Sequence, residues 1–246
     1  MSVRFENFDH SFVQNGKHFF KPSAISRKIG ADIKAQIEDA YKFDTFVYHM
    51  RQGGHVAAIH SHRVNSIFCR LDIERFFYGI GRNRVMIALR SIGLARAEHY
   101  AKWSTVKNPY EQPSYALPYG FVQSPIIATL VLMTSSVGEY LRALPDGITA
   151  SVYMDDVVLS GNETDKLELA FNGLLANLPQ AGFQINAAKL RMPSASMDVF
   201  NCDLTIGGTT VREERKAEFY SAAQSDKSVA AFERYCESIE NGNAAL

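Results

Sequence analysis

The chain has 246 residues, 46% of them hydrophobic and 21% charged, which is ordinary globular usage and excludes a disordered tail, a short peptide or a membrane-embedded bundle. Its 26 Lys/Arg equal its 26 Asp/Glu, so no overall polycation is present to hold nucleic acid by charge alone. The balance is uneven, however: residues 1–112 carry 17 Lys/Arg against 10 Asp/Glu and residues 113–246 carry 9 against 16, leaving the halves at +7 and −7. A basic half can follow phosphates while an acidic half holds divalent cations, and simple solvated faces would give the same numbers; charge alone leaves both open.

No apolar run approaches 18 residues, and Met1 to His10 has no charged start followed by an apolar stretch. The expectation is a cytoplasmic chain without membrane contact. Cys69, Cys202 and Cys236 are odd in number and scattered, which predicts reduced, packed thiols rather than disulfides or a zinc site.

In chain order, Ile25, Ile29, Ile33, Ile37 and Tyr41 recur every fourth residue and predict an amphipathic helix. Phe43–Met50, Gln52-Gly53-Gly54 and His55–Ile59 read as a hairpin, because glycines admit the positive φ of a tight turn. Ile67–Ile73 is a buried strand, and Arg82–Trp103 is helical with a weak point at Gly93. Ser124 as cap and Pro125 at the first helical position open a helix whose run Ile126–Met133 is buried.

Ile148–Tyr153 and Val157–Ser160 form a hairpin tipped by Met154-Asp155-Asp156. Leu167, Phe171, Leu174 and Leu178 make a helical stripe closed by Pro179. Phe183–Asn186 and Val199–Ile206 read as strands, and a charged helix runs from about Arg212 to Glu240. This order predicts an α+β fold, an antiparallel sheet with helices on one face. No repeat or flexible linker marks a domain boundary.

The adjacent Asp155 and Asp156 stand between apolar strands. Two anions about 4 Å apart repel by about 4 kcal/mol at an effective dielectric of about 20, so a cation belongs there, unless the pair is an ordinary solvated turn. Asp72 closes the apolar run Ile67–Leu71. If its strand neighbours the hairpin, three carboxylates converge, and hard oxygen ligands of that kind suit a pair of Mg²⁺ or Mn²⁺ ions serving phosphoryl transfer. His55, His60 and His62 lack the acid or cysteine spacing of a metal site.

Leu71-Asp72-Ile73-Glu74-Arg75-Phe76-Phe77, Leu117-Pro118-Tyr119-Gly120-Phe121-Val122-Gln123-Ser124-Pro125 and Tyr153-Met154-Asp155-Asp156, in this order, resemble motifs A, B and C of reverse transcriptases. Asn186–Lys189 resembles motif D, and Val199–Leu204 the strand before the thumb. The resemblance spans about Arg63 to Leu204 and is nearest to prokaryotic retron-type and defence-associated reverse transcriptases. It implies a right-hand polymerase: fingers over residues 1–70, a palm with motifs A to D over 71–204, and a short thumb-like C-terminal helix over 205–246.

The same resemblance implies an RNA-directed DNA polymerase, a nucleotidyltransferase using dNTPs. Asp72, Asp155 and Asp156, with Ile73 beside them, would hold two Mg²⁺ ions, Mn²⁺ being possible, and Lys189 would protonate the leaving pyrophosphate. Phe77 stands where the family places a bulky ring that excludes a ribose 2′-hydroxyl and so selects deoxynucleotides. Tyr119, Gly120, Gln123, Arg63 and Arg75 would contact the nucleotide, with Arg51 and Arg70 as further basic candidates; as ordinary surface arginines they would simply be solvated. The expected partners are an RNA template, a DNA product and a structured noncoding RNA, with a protein partner or second copy, in anti-phage defence.

The sequence departs from the family at three points. Tyr119 occupies the motif B position where retroviral and retron enzymes carry Gln. Before Asp72 no basic hairpin followed by R-x-I is found, so the fingers are expected to be reduced, and the roughly 40 residues after Leu204 leave room only for a short or vestigial thumb. Template-independent or protein-primed synthesis is the alternative enzymatic reading. A catalytically inert RNA-binding module with a polymerase fold is the alternative outside enzymes.

Overall fold

A computed structural model describes residues 7–243. Strands β1 (Phe8–Gln14) and β2 (Lys17–Pro22) come first, followed by helices α1 (Ala24–Ala40) and α2 (Gly54–His60). Strand β3 (Ile67–Asp72), helices α3 (Arg82–Ser91) and α4 (Ala97–Ser104), and short strands β4 (Val106–Lys107) and β5 (Tyr115–Ala116) lead to α5 (Ser124–Met133) and α6 (Ser136–Arg142). Strands β6 (Thr149–Tyr153) and β7 (Asp156–Gly161), helix α7 (Thr164–Gln180) and a 3-10 turn (Ala187–Lys189) precede β8 (Arg191–Ser194). Strands β9 (Ser196–Val199), β10 (Cys202–Thr205) and β11 (Gly208–Val211) and helices α8 (Glu213–Tyr220) and α9 (Asp226–Glu240) complete it.

The chain divides into two compact units, each assembled from separated segments. The first takes the chain up to Asp44, then Ile73–Arg142 and Asn177–Gln184. The second takes Thr45–Asp72, Ala143–Ala176 and Ile185 onward.

The first unit holds the β1–β2 hairpin and most of the helices. Ser23 caps α1 by accepting the Ser26 N–H at 3.2 Å, and Ile33 and Ile37 carry the buried stripe while Ile25 faces solvent. The helix predicted over Arg82–Trp103 is split into α3 and α4 by Gly93, which adopts φ 84°. Every residue of α5 except Pro125 is buried, as an apolar run without a polar face requires. Phe20, Tyr78, Val106, Ala116 and Phe121 form an aromatic-rich core against which Phe8, Tyr110 and Tyr119 pack.

The second unit is built on an antiparallel sheet in the order β6-β7-β3-β8, which agrees with the predicted α+β palm. Phe68, Cys69 and Leu71 of β3 and Val157, Val158 and Leu159 of β7 are buried, so pairing register and packing reinforce each other. Buried polar groups tie the loop after α2 to this sheet. His62 is fully buried between two serine hydroxyls, Nδ1 at 2.7 Å from Ser160 and Nε2 at 2.7 Å from Ser151, and Asn65 reaches Ser160 and Thr149. Cys69, Cys202 and Cys236 are free thiols. Among the described residues no single helix is long and apolar enough to cross a membrane.

Burial holds the His62 ring neutral and pushes its pKa down to about 3. An unfolded histidine protonates near pH 6.5, so His62 leaves stability intact above that value and subtracts from it as the pH falls toward 3. Between pH 7 and pH 5 the loss should reach about 2 kcal/mol, read in urea unfolding as a difference between wild type and His62→Gln that changes with pH. A constant difference would rule it out.

Several expected elements take another form. The Phe43–Ile59 hairpin does not exist: Val47 bridges in parallel to Val152 at the free edge of β6, and Gly53, at φ 90°, is the entry cap of α2. The glycines permit positive φ as foreseen, but here it opens a helix that buries Ala58 and Ile59. Phe183–Asn186 forms no strand; the Asn186 N–H meets the Asp72 carbonyl at 2.9 Å and the chain then enters the 3-10 turn. Val199–Ile206 is broken by Phe200 and Asn201, at φ 53° and 60°, into the β9–β10 turn.

The long C-terminal helix is two, because Ser225 caps α9 by accepting the Ser228 N–H at 3.2 Å. Gln123 rather than Ser124 is the cap residue of α5, and α7 runs one residue past Pro179. The N-terminal segment, where no basic hairpin was expected, folds as the β1–β2 hairpin, with Asn15 and Gly16 at φ 50° and 71° in its turn and Lys17 and Lys21 on its second strand.

Candidate active site

In the second unit β3 and β7 pair so that Asp72 stands directly opposite Asp156. Tyr153 pairs with Asp156 across β6 and β7, leaving Met154 and Asp155 as the two-residue turn. Met154 adopts φ 56°, a left-handed conformation that a side chain of this kind takes at a cost of about 1–2 kcal/mol. The tight turn starts β7 at Asp156, so Asp155 lies in the turn and Asp156 in the strand; simple alternation along one strand does not apply to them.

Asp72 is 3% exposed, and both of its carboxylate oxygens are engaged. Asn186 donates to Oδ1 at 3.0 Å and the Lys189 ammonium to Oδ2 at 2.7 Å. Lys189 sits on the 3-10 turn with its side chain 53% exposed. Burial works against its charge, but the Asp72 hydrogen bond and the charges of Asp72, Asp156 and Asp155 outweigh this and raise its pKa. Asp156 is pushed up to about 7, first by burial and then by the charges of Asp155 and Asp72, with Arg70 and Lys189 offsetting part of the effect. Asp156 is therefore held protonated to near neutral pH chiefly by its burial, with the Asp155 and Asp72 charges adding to it.

Among the described residues no three His, Cys, Asp or Glu side chains stand ready in a metal-ligand arrangement. Both Asp72 oxygens are already engaged, Oδ1 by Asn186 and Oδ2 by the Lys189 ammonium. As a donor set the cluster still fits Mg²⁺ or Mn²⁺, since Asp72, Asp155 and Asp156 offer hard carboxylate oxygens on the paired strands β3 and β7 and the β6–β7 turn. Ligation requires Lys189 to swing away, which its exposed stem allows.

The nucleotide-contact candidates divide into locked and accessible groups. Arg63 is 8% exposed; its guanidinium donates to Thr209 and to the carbonyls of Ile239 and Asn241, so it anchors the end of α9 rather than facing solvent. Arg70 is likewise buried on Asp198, Nη2 to Oδ2 at 3.2 Å. Gln123 is 1% exposed, with Nε2 at 3.4 Å from Ser104 and its side chain against Gly30. Arg75 is exposed, at φ 47°, with its guanidinium 4.4 Å from the Tyr110 ring centre. Arg51 lies 5.0 Å over Tyr48.

Ile73 is buried directly after Asp72. Phe77 is buried, and its ring meets that of Tyr119 at 4.8 Å and 83°. Gly120 has φ 102° and lies against the Phe20 carbonyl. His55 and His60 bond to Tyr235 and to the Ile239 carbonyl.

Sequence reasoning named Asn186 only as the start of the Asn186–Lys189 stretch and did not foresee its bond to Asp72. It also passed over the β1–β2 hairpin, whose Lys17 ammonium lies 5.4 Å over the Tyr119 ring. Asn15-Gly16 flanked by β-prone residues is a strong hairpin cue.

The family model described as reverse transcriptase (RNA-dependent DNA polymerase) matches residues 18–218. No curated protein sequence matches the chain. Among solved structures, a foamy viral protease-reverse transcriptase in complex with ds DNA is 15% identical, with a TM-score of 0.52 over 90% of this chain and 33% of that one. Telomerase from Candida albicans, in complex with a fragment of telomeric RNA, is 10% identical, with a TM-score of 0.53 over 76% of this chain and 39% of that one. Apo telomerase from Candida tropicalis is 12% identical, with a TM-score of 0.52 over 74% and 43%. The chain thus spans a third to just over two fifths of these proteins, and the likeness is one of fold.

Proposed function

We propose, since the chain belongs to the reverse transcriptase family, that it is an RNA-directed DNA polymerase in which Asp72, Asp155, Asp156 and Lys189 carry the chemistry. The observation behind this is the direct pairing of Asp72 with Asp156 beside the turn that bears Asp155. Bound by these carboxylates, two Mg²⁺ ions would supply charge stabilisation to the attacking and leaving oxygens of an in-line transfer. The primer 3′-hydroxyl releases its proton to solvent as its oxygen bonds to the α-phosphorus and the bond to pyrophosphate breaks. Lys189, cationic and able to leave Asp72, donates a proton to the departing pyrophosphate. Phe77 excludes a 2′-hydroxyl, so deoxynucleotides are preferred.

Primer extension on an RNA template with dNTPs and Mg²⁺ tests this. Templated DNA is expected, with synthesis lost on chelation. Product formed equally well with EDTA would remove the metal-dependent reading, and a homopolymer indifferent to template would transfer the assignment to untemplated synthesis.

The finer assignment is a bacterial defence enzyme working with a structured noncoding RNA, and with a protein partner or a second copy. Its support is the motif resemblance alone, and purification of the protein with a discrete RNA species from its host is the expected result. Neighbours whose structures contain ds DNA or telomeric RNA support a nucleic-acid partner for this chain as well. The Lys189–Asp72 pair is also what an inert RNA-binding module would show; absence of any Mg²⁺-dependent incorporation would favour that reading.

A further inference from the structure

We propose that Tyr119 is a positioning residue for sugar selection: its ring holds Phe77 in place, and the β1–β2 hairpin holds its ring. The inference rests on the reading of Phe77 as the group that excludes a ribose 2′-hydroxyl.

Exclusion by a ring works only if the ring cannot yield. A phenylalanine free to turn about χ1 and χ2 would move aside from an extra hydroxyl, so discrimination depends on what packs against it. Phe77 is 7% exposed, and Tyr119 meets it edge to face at 4.8 Å and 83°, a favoured aromatic geometry. Tyr119 is itself partly buried and flanked by three groups: Phe19 lies at 5.5 Å, Tyr78 at 5.6 Å and the Lys17 ammonium at 5.4 Å from its ring centre.

The backbone fixes the same residue. The Phe20 N–H donates to the Tyr119 carbonyl at 3.0 Å, Phe19 and Tyr119 form a parallel bridge, and Gly120 lets the Phe20 carbonyl approach where any Cβ would collide. Hairpin, Tyr119 and Phe77 therefore form one continuous packed series within the first unit. The Gln that the resembled enzymes carry at this position would bring hydrogen bonds but no ring to brace Phe77. The Tyr is thus a substitution with a specific mechanical consequence.

The test compares single-nucleotide incorporation of an rNTP and the matching dNTP on a primed RNA template, each as kcat/KM. Removing the brace in Tyr119→Ala should raise the rNTP/dNTP ratio about two- to tenfold, the range that the loss of one aromatic pair corresponds to. Tyr119→Gln, which removes the ring but keeps a polar side chain, should do the same, and Tyr119→Phe, which keeps the ring, should retain the wild-type ratio. Lys17→Gln should raise the ratio less.

A general loss of folding or binding lowers both rates and leaves the ratio alone, so an unchanged ratio in both Tyr119→Ala and Tyr119→Gln overturns the proposal. A shift in Tyr119→Phe as large as that in Tyr119→Ala overturns it too, since the hydroxyl would then be responsible. Phe77→Ala separates the two levels. If it alters the ratio while the Tyr119 variants do not, the sugar-exclusion reading stands without Tyr119; if it changes nothing, that reading falls and this proposal with it.

Discussion

Asp156→Asn should stabilise the metal-free protein at alkaline pH while reducing nucleotide incorporation about a thousandfold. The carboxyl of Asp156 is held at about 7 by burial and by the neighbouring Asp155 and Asp72 charges, against an ordinary value of 3.8. The folded state therefore binds this proton more tightly than the unfolded chain does. Stability contributed by the group is greatest below about pH 4, falls by about 1.4 kcal/mol per pH unit up to about pH 7, and is flat above that, a loss on the order of 4 kcal/mol.

Asparagine cannot ionise, so wild type and variant should be equally dependent on pH below 4, with the variant more stable by an amount on the order of 4 kcal/mol at pH 8. Urea unfolding in EDTA measures this directly. Mg²⁺ should return stability to the wild type and not to the variant, because the cation neutralises the charge that the variant lacks. Equal stability at pH 8 in EDTA would show that burial and the neighbouring charges do not hold the Asp156 carboxyl above its ordinary value. Asp155→Ala should lose incorporation to a similar extent, since it removes a carboxylate from the same turn.

The second large effect is structural. Gly120→Ala should cost about 3 kcal/mol or more and release the β1–β2 hairpin. At φ 102° the residue occupies backbone space open to glycine, and an added Cβ would collide with the Phe20 carbonyl, a backbone atom that cannot turn aside. Relief requires the hairpin to move, taking Phe20 out of the cluster with Tyr78, Val106, Ala116 and Phe121. Gly16→Ala in the hairpin turn is the control: φ is 71° but nothing lies within 4 Å, so only the conformational cost of about 1 kcal/mol applies. Faster amide exchange throughout Lys17–Lys21 in Gly120→Ala, but not in Gly16→Ala, would identify undocking; similar losses in both variants would count against it.

What could be read in the chain was whatever has a local physical cause. The apolar run Ile67–Leu71, the hairpin around Met154-Asp155-Asp156, the wholly buried helix α5 and the Leu167–Leu178 stripe all follow from side-chain periodicity and turn chemistry within a few residues. The Asn15-Gly16 hairpin was equally local, and the expectation of reduced fingers passed over it. The Gly53-Gly54 segment shows the limit of such cues. Positive φ was correctly implied, but a hairpin and a helix entry both use it, and the open edge of β6 decided between them by taking Val47.

The sequence by itself determined the motifs, their order and the three carboxylates proposed to carry the chemistry. Only the tertiary structure decided that Asp72 faces Asp156, that Lys189 and Asn186 close on Asp72, and that Arg63, Arg70 and Gln123 are spent on packing. The reason is that these partners lie far apart along the chain. Their meeting is fixed by strand register and by which polar groups must be satisfied once the sheet is buried, and neither leaves a trace in the residues next to them.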